Sequence, residues 1–499
     1  MKKTTLVATL ATRPSSSGEQ LLALPSEVEW LEVRADLVGD LAADWLQEHF
    51  SGRLIYTLRS RAEGGAFSGS AAERRERLLK AARDYDLVDL EGARDLSPQL
   101  LAELPPAKRL VSWHGAAANA HELKSRFEQL SSAEARLYRL VTSAAKAGDE
   151  IGPLALLKSL GRSDTIAYSS GRIGFWSRVV APHLGSPMVF GAVEGGGGVE
   201  GEPSISRLID DYGLPALAPL KEIYGIVGSP VGHSLSPYLH NAAYRELEHP
   251  AMFFPFHADS FSDFWQEVVS SRTLASLGLS IRGLTVASPH KESAIALAGT
   301  ISQMVQRAGA TNIFVRHNGT WNADTTDPEG VVQALKERCI RIEGKRAAVI
   351  GCGGAGRAIS AALDQAGASV TMVNRGLERG ERAVELLGLP FVPLSEFNVE
   401  GYSILVNATP VGRDDGEMPC DVEGLSEDAV VIDLVYGKQP TPLAERTLAL
   451  GRSLIDGREV LLTQVLRQFR LMISREMPIA LARRKLGYED ALTGLATVV

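Results

Sequence analysis

Eight short runs rich in apolar and β-branched residues, at 6–10, 30–34, 53–59, 87–91, 109–114, 137–142, 165–168 and 187–192, recur along the first 210 or so residues. Charged, amphipathic stretches such as 71–85 and 120–129 lie between them. Strands that alternate with helices form parallel sheets, because every crossover must carry the chain back to the same end of the sheet. Eight such units predict an α/β fold opening with a (β/α)8 barrel over 1–215, whose chemistry sits at the C-terminal ends of its strands. The start, Met1-Lys2-Lys3 and then an apolar run broken by threonines, reads as the first strand and not as a secretion signal. The glycine-rich run 195–201 reads as a mobile loop at the barrel mouth.

Pro215 and Pro219 mark a linker, after which 223–228 restarts the strand–helix alternation. An α/β lobe over 222–330, completed by a helical tail at 456–499, brackets a third unit at 331–455. The net charge of −8, from 52 basic and 60 acidic residues, leaves no broad basic face for nucleic acid or an anionic membrane. No apolar run approaches the ~20 residues a membrane helix requires. Cys339, Cys352 and Cys420 are too widely spaced for a metal site, and read as buried small hydrophobes in a reducing cytoplasm. The expected partners are therefore small molecules in the cytoplasm, with no metal; nothing in the sequence specifies an oligomeric state.

The third unit opens with Ala347-Ala348-Val349-Ile350, a buried-strand pattern, followed by Gly351-Cys352-Gly353-Gly354-Ala355-Gly356 at the start of a helix. Glycines allow a tight turn and let backbone N–H groups approach a pyrophosphate at the helix N-terminus. The next strand, 369–373, ends in Asn374-Arg375, with Arg379 four residues later. An acidic residue there would hold ribose hydroxyls; a guanidinium fork suits a 2′-phosphate. Gly351, Gly353, Gly354, Ala355, Asn374, Arg375 and Arg379 thus predict an NADP site on a Rossmann-type lobe.

The middle lobe carries three polar segments. Gly228-Ser229-Pro230-Val231-Gly232-His233-Ser234-Leu235-Ser236-Pro237 presents two hydroxyls ahead of a helix; Gly283–Lys291 ends a strand with a lysine; and 318–327 leads into a helix with Asp327. With Asn407-Ala408-Thr409-Pro410, Asp433-Leu434-Val435-Tyr436 and Leu461-Leu462-Thr463-Gln464, these segments resemble the shikimate dehydrogenase family over about residues 222–490. The resemblance implies NADPH-dependent reduction of 3-dehydroshikimate to shikimate, with Lys291 and Asp327 as the catalytic pair. It implies that Ser234, Ser236, Asn312, Asp327 and Gln464 bind the polyol, and that Tyr436 binds its carboxylate. Asn407, Thr409 and Val435 would line the nicotinamide side. Ala287 replaces a usual Thr, Thr285 a usual Asn or Ser, and Thr325 an Asn. Ser288 cannot stand in for the lost hydroxyl on a regular strand, where neighbours face opposite ways. These changes leave quinate as an alternative substrate.

The first half resembles type I 3-dehydroquinate dehydratase over about residues 4–210. Glu32-Val33-Arg34, Arg59 with Glu63-Gly64-Gly65, Asp89-Leu90-Glu91, Ser112-Trp113-His114 and Ser177-Arg178 carry the likeness. It implies substrate binding by Glu32, Arg34, Arg59 and Arg178, with His114 as the base that converts 3-dehydroquinate to 3-dehydroshikimate. The family condenses a lysine with the substrate ketone, and Arg139 stands at that position. A guanidinium stays protonated and has no lone pair to attack a ketone. Lys146 lies seven residues on, roughly 23 Å along an extended strand. In the lid, Gly198 replaces a serine and Glu202 a glutamine. The sequence therefore leaves two readings: a fusion of two consecutive enzymes, or a dehydrogenase carrying a non-catalytic, ligand-binding barrel.

Overall fold

The computed structural model describes residues 2–117, 119–195, 201–437 and 439–488. The chain forms two compact units, Met1–Ile223 with Tyr244–Ile281, and Tyr224–Ala243 with Arg282–Val499.

The first unit contains eight strands: β1 (Thr5–Leu10), β2 (Val28–Arg34), β3 (Arg53–Thr57), β4 (Leu87–Glu91), β5 (Arg109–Gly115), β6 (Leu137–Ser143), β7 (Thr165–Ser170) and β8 (Met188–Ala192). Each coincides with one of the eight apolar runs in the sequence. Their order, β7-β6-β5-β4-β3-β2-β1-β8, is that of a parallel barrel in which the last strand returns beside the first. Leu6, Val7, Leu31, Val33, Leu54, Leu90, Leu110 and Leu140 are all buried, as expected of strands covered on both faces. The amphipathic stretches fold as the helices Ala71–Asp84 and Ala120–Leu130, each started by a polar cap: Ser70 accepts from the Glu73 N–H and Asn119 from the Glu122 N–H.

Part of the stretch expected to be linker is instead ordered as strand. Ala216–Leu217 pairs antiparallel with Lys2–Lys3, which gives both segments the backbone partners they would lack as free chain. The run 196–200 expected to form the mobile loop, Gly198 included, lies outside the described residues. In the same unit, the strand Ala251–His257 contributes to an aromatic cluster: Phe254 stacks on Tyr212 at 5.6 Å and Phe256 meets Trp176 edge-on at 5.8 Å.

The second unit holds two sheets. One contains, in order, β9 (Glu222–Gly228), β10 (Ser280–Val286), β12 (Ile313–His317), β13 (Thr320–Asp324) and β11 (Thr300–Ile301). β12 and β13 form a hairpin whose two-residue turn, Asn318-Gly319, has φ of 49° and 84°, the left-handed pair an Asn-Gly turn favours. The other has six parallel strands: β14 (Arg346–Ile350), β15 (Ser369–Asn374), β16 (Phe391–Pro393), β17 (Ile404–Asn407), β18 (Val430–Asp433) and β19 (Ser453–Ile455). Their order, β16-β15-β14-β17-β18-β19, reverses between β14 and β17, and such a switch point is where doubly wound sheets bind nucleotides. Ala347 and Val349 face one core, Ala348 and Ile350 the other, so helices cover both faces. Cys352 is buried, but Cys339 is exposed, against the expectation for all three cysteines. It follows the helix Asp327–Glu337 with φ of 55°, at the left-handed position that ends a helix at the surface.

Candidate active sites

In the second unit Asp327 is the first residue of the helix Asp327–Glu337, where the unpaired N–H groups of the first turn favour a carboxylate. Lys291 Nζ lies 2.6 Å from Asp327 Oδ2. The other carboxylate oxygen accepts from Asn312 Nδ2 at 2.8 Å and Gln464 Nε2 at 3.1 Å. Thus four of the sequence-expected residues, drawn from three separated segments and the C-terminal helix Gly457–Ile473, meet at one carboxylate. Gly330 permits the meeting, since a Cβ there would stand 2.8 Å from Gln464 Cγ. A layer that sequence reasoning missed braces this cluster: Thr326 donates its N–H to Asn312 Oδ1 at 2.8 Å, and Gln468 donates to Thr326 Oγ1 at 2.9 Å.

Ser234 and Ser236 stand at the start of the helix Ser236–Glu246, with the Ser236 N–H donating to Ser234 Oγ at 3.2 Å. The Tyr436 hydroxyl lies near the Ser234 side chain, and burial raises its pKa, so it stays protonated. Arg413, unmarked in the sequence, is near enough to act electrostatically on both Tyr436 and His233. It follows Gly412, whose φ of 95° turns the chain after Thr409-Pro410. Of the positions that depart from the family pattern, Thr285 is buried and turned toward Gly225 O at 3.4 Å, and Ser288 is exposed.

At the switch point Gly351 has φ of 108°, and a Cβ on Gly356 would lie 1.7 Å from Gly351 O, so the turn closes only with glycine. Gly353 is the open point of the cradle, where a Cβ would meet nothing within 4 Å. Gly354 and Ala355 begin the helix Gly354–Gln365, and Gly354 packs so closely on Lys291 that a Cβ would stand 3.1 Å from the lysine Cβ. Asn374 Oδ1 accepts from the Cys352 N–H at 3.1 Å, tying the end of β15 to the glycine turn. Arg375 and Arg379 are exposed beyond β15 and take part in no ion pair among the described residues. These features fit a dinucleotide with a 2′-phosphate.

Asn407, Thr409 and Val435, expected on the nicotinamide side, share one hydrogen-bond network around Asp433. Asn407 is buried and donates to Asp433 Oδ1 at 2.9 Å, while its own oxygen accepts from Thr409 Oγ1 at 2.7 Å. The Val435 N–H also donates to Asp433 Oδ1, at 3.1 Å. Their polar groups thus hold the loops after β17 and β18 to one another. Arg357, also missed, is buried and donates to the carbonyls of Ala308, Cys352 and Gly309.

In the first unit a cavity of about 350 Å³ opens at the strand ends, lined by Glu32, Arg34, Arg59, Glu63, His114, Arg139, Tyr168, Arg178 and Glu202 among others. All five expected barrel residues are therefore brought together. No lysine lines it among the described residues, and Lys146 is exposed in the loop after β6. Arg139 instead pairs with Glu32 Oε1 at 2.8 Å, bonds Asp89, and lies 4.6 Å over the Phe190 ring. Arg59 bonds Asp89 at 2.6 Å and Glu63 at 3.0 Å; Arg34 makes two bonds to Asp36, at 2.9 and 2.8 Å. Burial alone would raise Glu32, but Arg139 and Arg34 hold it below the usual carboxylate range. Burial, with Arg59, Arg139, Arg34 and Arg178 around it, holds His114 well below the usual imidazole range, so it is neutral. Burial pushes Glu63 up to about 7 against the pull of Arg59.

A charged cavity at the mouth of an eight-stranded barrel, joined to a doubly wound nucleotide lobe with a Lys–Asp pair beside it, defines a barrel-fused, nicotinamide-dependent dehydrogenase. The family model of type I 3-dehydroquinase matches residues 7–218, and that of the shikimate dehydrogenase substrate binding domain matches residues 226–314. The shikimate dehydrogenase (NADP(+)) of Thermococcus kodakarensis is 35% identical over 253 residues, which cover 50% of this chain and 90% of that protein. That of Syntrophobacter fumaroxidans is 33% identical, covering 52% of this chain and 89% of the relative. The chloroplastic bifunctional 3-dehydroquinate dehydratase/shikimate dehydrogenase of Arabidopsis thaliana is 26% identical, covering 90% of this chain and 79% of its own. The chain belongs to the shikimate dehydrogenase family, fused behind a barrel related to type I 3-dehydroquinase.

Proposed function

We propose that this chain reduces 3-dehydroshikimate to shikimate with NADPH in the cytoplasm, and that its barrel binds a small molecule without Schiff-base chemistry. The observation that carries the first part is the Lys291–Asp327 pair at 2.6 Å, held from the other side by Asn312 and Gln464. Residues 222–330 with 456–499 serve as the substrate lobe and 331–455 as the nucleotide lobe, behind a barrel spanning 1–215. Gly351, Gly353, Gly354 and Ala355 hold the pyrophosphate, and Arg375 and Arg379 the 2′-phosphate, with Asn374 shaping the turn between them. NADPH, when bound, supplies the hydride.

The rest is the work of this chain's residues. Ketone reduction puts negative charge on the carbonyl oxygen, and the Lys291 ammonium stabilises that charge and delivers the proton. Asp327 orients the lysine and accepts from a substrate hydroxyl. Ser234, Ser236, Asn312 and Gln464 bond the remaining hydroxyls, and Tyr436 the carboxylate. Such a site discriminates against analogues that lack a hydroxyl, because its own buried groups would be left unpaired. Mixing the purified chain with 3-dehydroshikimate and NADPH tests the reading. Loss of nicotinamide absorbance is expected, and its absence would sink the proposal.

Ala287 favours a second reading of the same half, a dehydrogenase acting on both quinate and shikimate. Initial rates on the two acids separate them, and a clear preference for quinate defeats the first choice. For the barrel, Arg139 supports binding without turnover. With 3-dehydroquinate and no nicotinamide, the enone absorbance of 3-dehydroshikimate should stay flat; its growth would show a working dehydratase.

A further inference from the structure

Each arginine that lines the barrel cavity is already paired with a carboxylate. Arg34 is bonded by Asp36, Arg59 by Asp89 and Glu63, and Arg139 by Glu32 and Asp89. The fourth, Arg178, is met by Glu202: Arg178 Nη1 lies 2.7 Å from Glu202 Oε1, and each side chain is 5% exposed. The same nitrogen donates to Phe190 O at 2.9 Å, and the guanidinium stacks 4.6 Å over Tyr168.

The backbone places Glu202 there from both sides. Gly201, with φ of 78°, sits so near the start of the Arg178 helix, Gly171–Val180, that a Cβ would fall 2.3 Å from Gly171 C. One residue beyond Glu202, Pro203 O accepts from the Ala192 N–H at 2.8 Å, at the end of β8. The segment is thus clamped between the helix that carries Arg178 and the strand beside it. Glu202 Oε2 is buried and has no hydrogen-bond partner among the described residues, so a ligand carboxylate brought alongside would meet a like charge in a buried site. Glu202 and Phe190 O both take Nη1, so a second carboxylate reaches Arg178 either at its remaining nitrogens, beside the buried like charge of Glu202, or by displacing Glu202 and leaving it unpaired.

We propose that Glu202 is an internal counter-carboxylate that closes the barrel cavity to acid ligands, making it the specificity-determining residue of the barrel. This rests on reading the cavity as a small-molecule site; its volume of about 350 Å³ lies within the ~300–1,000 Å³ of such sites. The isosteric change Glu202→Gln removes the like charge beside Arg178, so the altered barrel accepts a hydroxylated ring acid.

The test is a calorimetric titration of the full-length protein with 3-dehydroshikimate, without nicotinamide so that nothing turns over. The wild-type chain should bind one equivalent, in the dehydrogenase half, and Glu202→Gln and Glu202→Ala should each bind one equivalent more. Adding Arg178→Ala to Glu202→Gln should remove the gain. Retained NADPH oxidation in each variant reports an intact dehydrogenase half, and unchanged circular dichroism an intact barrel. A wild-type chain that takes two equivalents overturns the proposal, as do two Glu202 variants that gain none. A chain that binds none and oxidises no NADPH overturns the dehydrogenase reading, while the difference of one equivalent between wild type and variant still decides the role of Glu202.

Discussion

Arg139 Nη1 lies 2.8 Å from Glu32 Oε1, and the two side chains, one on β6 and one on β2, are 3% and 5% exposed. Asp89 takes the other guanidinium nitrogen. Burial would lower the Arg139 pKa, but Glu32 and Asp89 more than offset it, so the guanidinium stays charged. Removing one partner of a buried pair leaves the others without compensation, at a cost of about 3–5 kcal/mol. Arg139→Ala is therefore expected to lower the barrel's unfolding free energy by an amount in that range, read from its denaturant midpoint, while NADPH oxidation by the other half persists. A loss under about 1 kcal/mol would be that of a solvated surface pair and would contradict the buried network.

Among the described residues the Lys291 ammonium is the one cation bonded to Asp327, and Gly354 of the nucleotide turn packs on its aliphatic stem. Lys291→Met keeps much of the length of the side chain and removes the proton. It should lower kcat by roughly 10²–10⁴-fold, the usual contribution of a positioned acid–base group, and change the KM for NADPH little. A fall in kcat of less than about tenfold would remove Lys291 from the chemistry.

Arg375 is exposed directly after β15 and takes part in no ion pair among the described residues, so its loss should cost the fold little. If it receives a 2′-phosphate, Arg375→Ala removes a charge-assisted bond of about 1.5–3 kcal/mol. The KM for NADPH should then rise by roughly ten- to a hundredfold, with the rate on NADH unchanged. An equal effect on both cofactors would place the arginine away from that phosphate.

The barrel is legible in the sequence because its strands are buried on both faces. Each reads as a short apolar run, and all eight runs are strands. The glycine turn is legible for a steric reason, since only glycine tolerates the approach of residue 356 to Gly351 O. The Asn318-Gly319 hairpin carries an equally clear turn signal, inside a segment whose other message is the approach to Asp327. Other features depend on partners far apart in sequence. Asp89 stands in a sequence motif, but its place between Arg59 and Arg139 shows only in the fold. Asn407 has a motif position that suggests the cofactor, yet its amide is taken up by Asp433 and Thr409. The 216–217 strand cannot be foreseen because its partner is the N-terminus, more than two hundred residues away.

His240 lies in the helix Ser236–Glu246, fully buried, with its ring 5.6 Å from that of Phe469. Burial lowers its pKa from 6.5 to about 3. Below pH 6.5 the unfolded chain takes up a proton that the folded protein refuses until about pH 3, so the unfolded state binds more protons in that window. Stability contributed by the neutral ring is then complete above pH 6.5 and lost as the pH falls toward 3, with a slope on the order of 1 kcal/mol per pH unit. His240→Leu removes the titration but keeps an apolar side chain in the site. Urea unfolding of the two proteins between about pH 4 and pH 7 should give stability curves that converge or cross as the pH falls, the wild type losing more. Curves that stay parallel over the same range would mean that His240 takes up its proton equally in both states, and that burial does not keep it neutral.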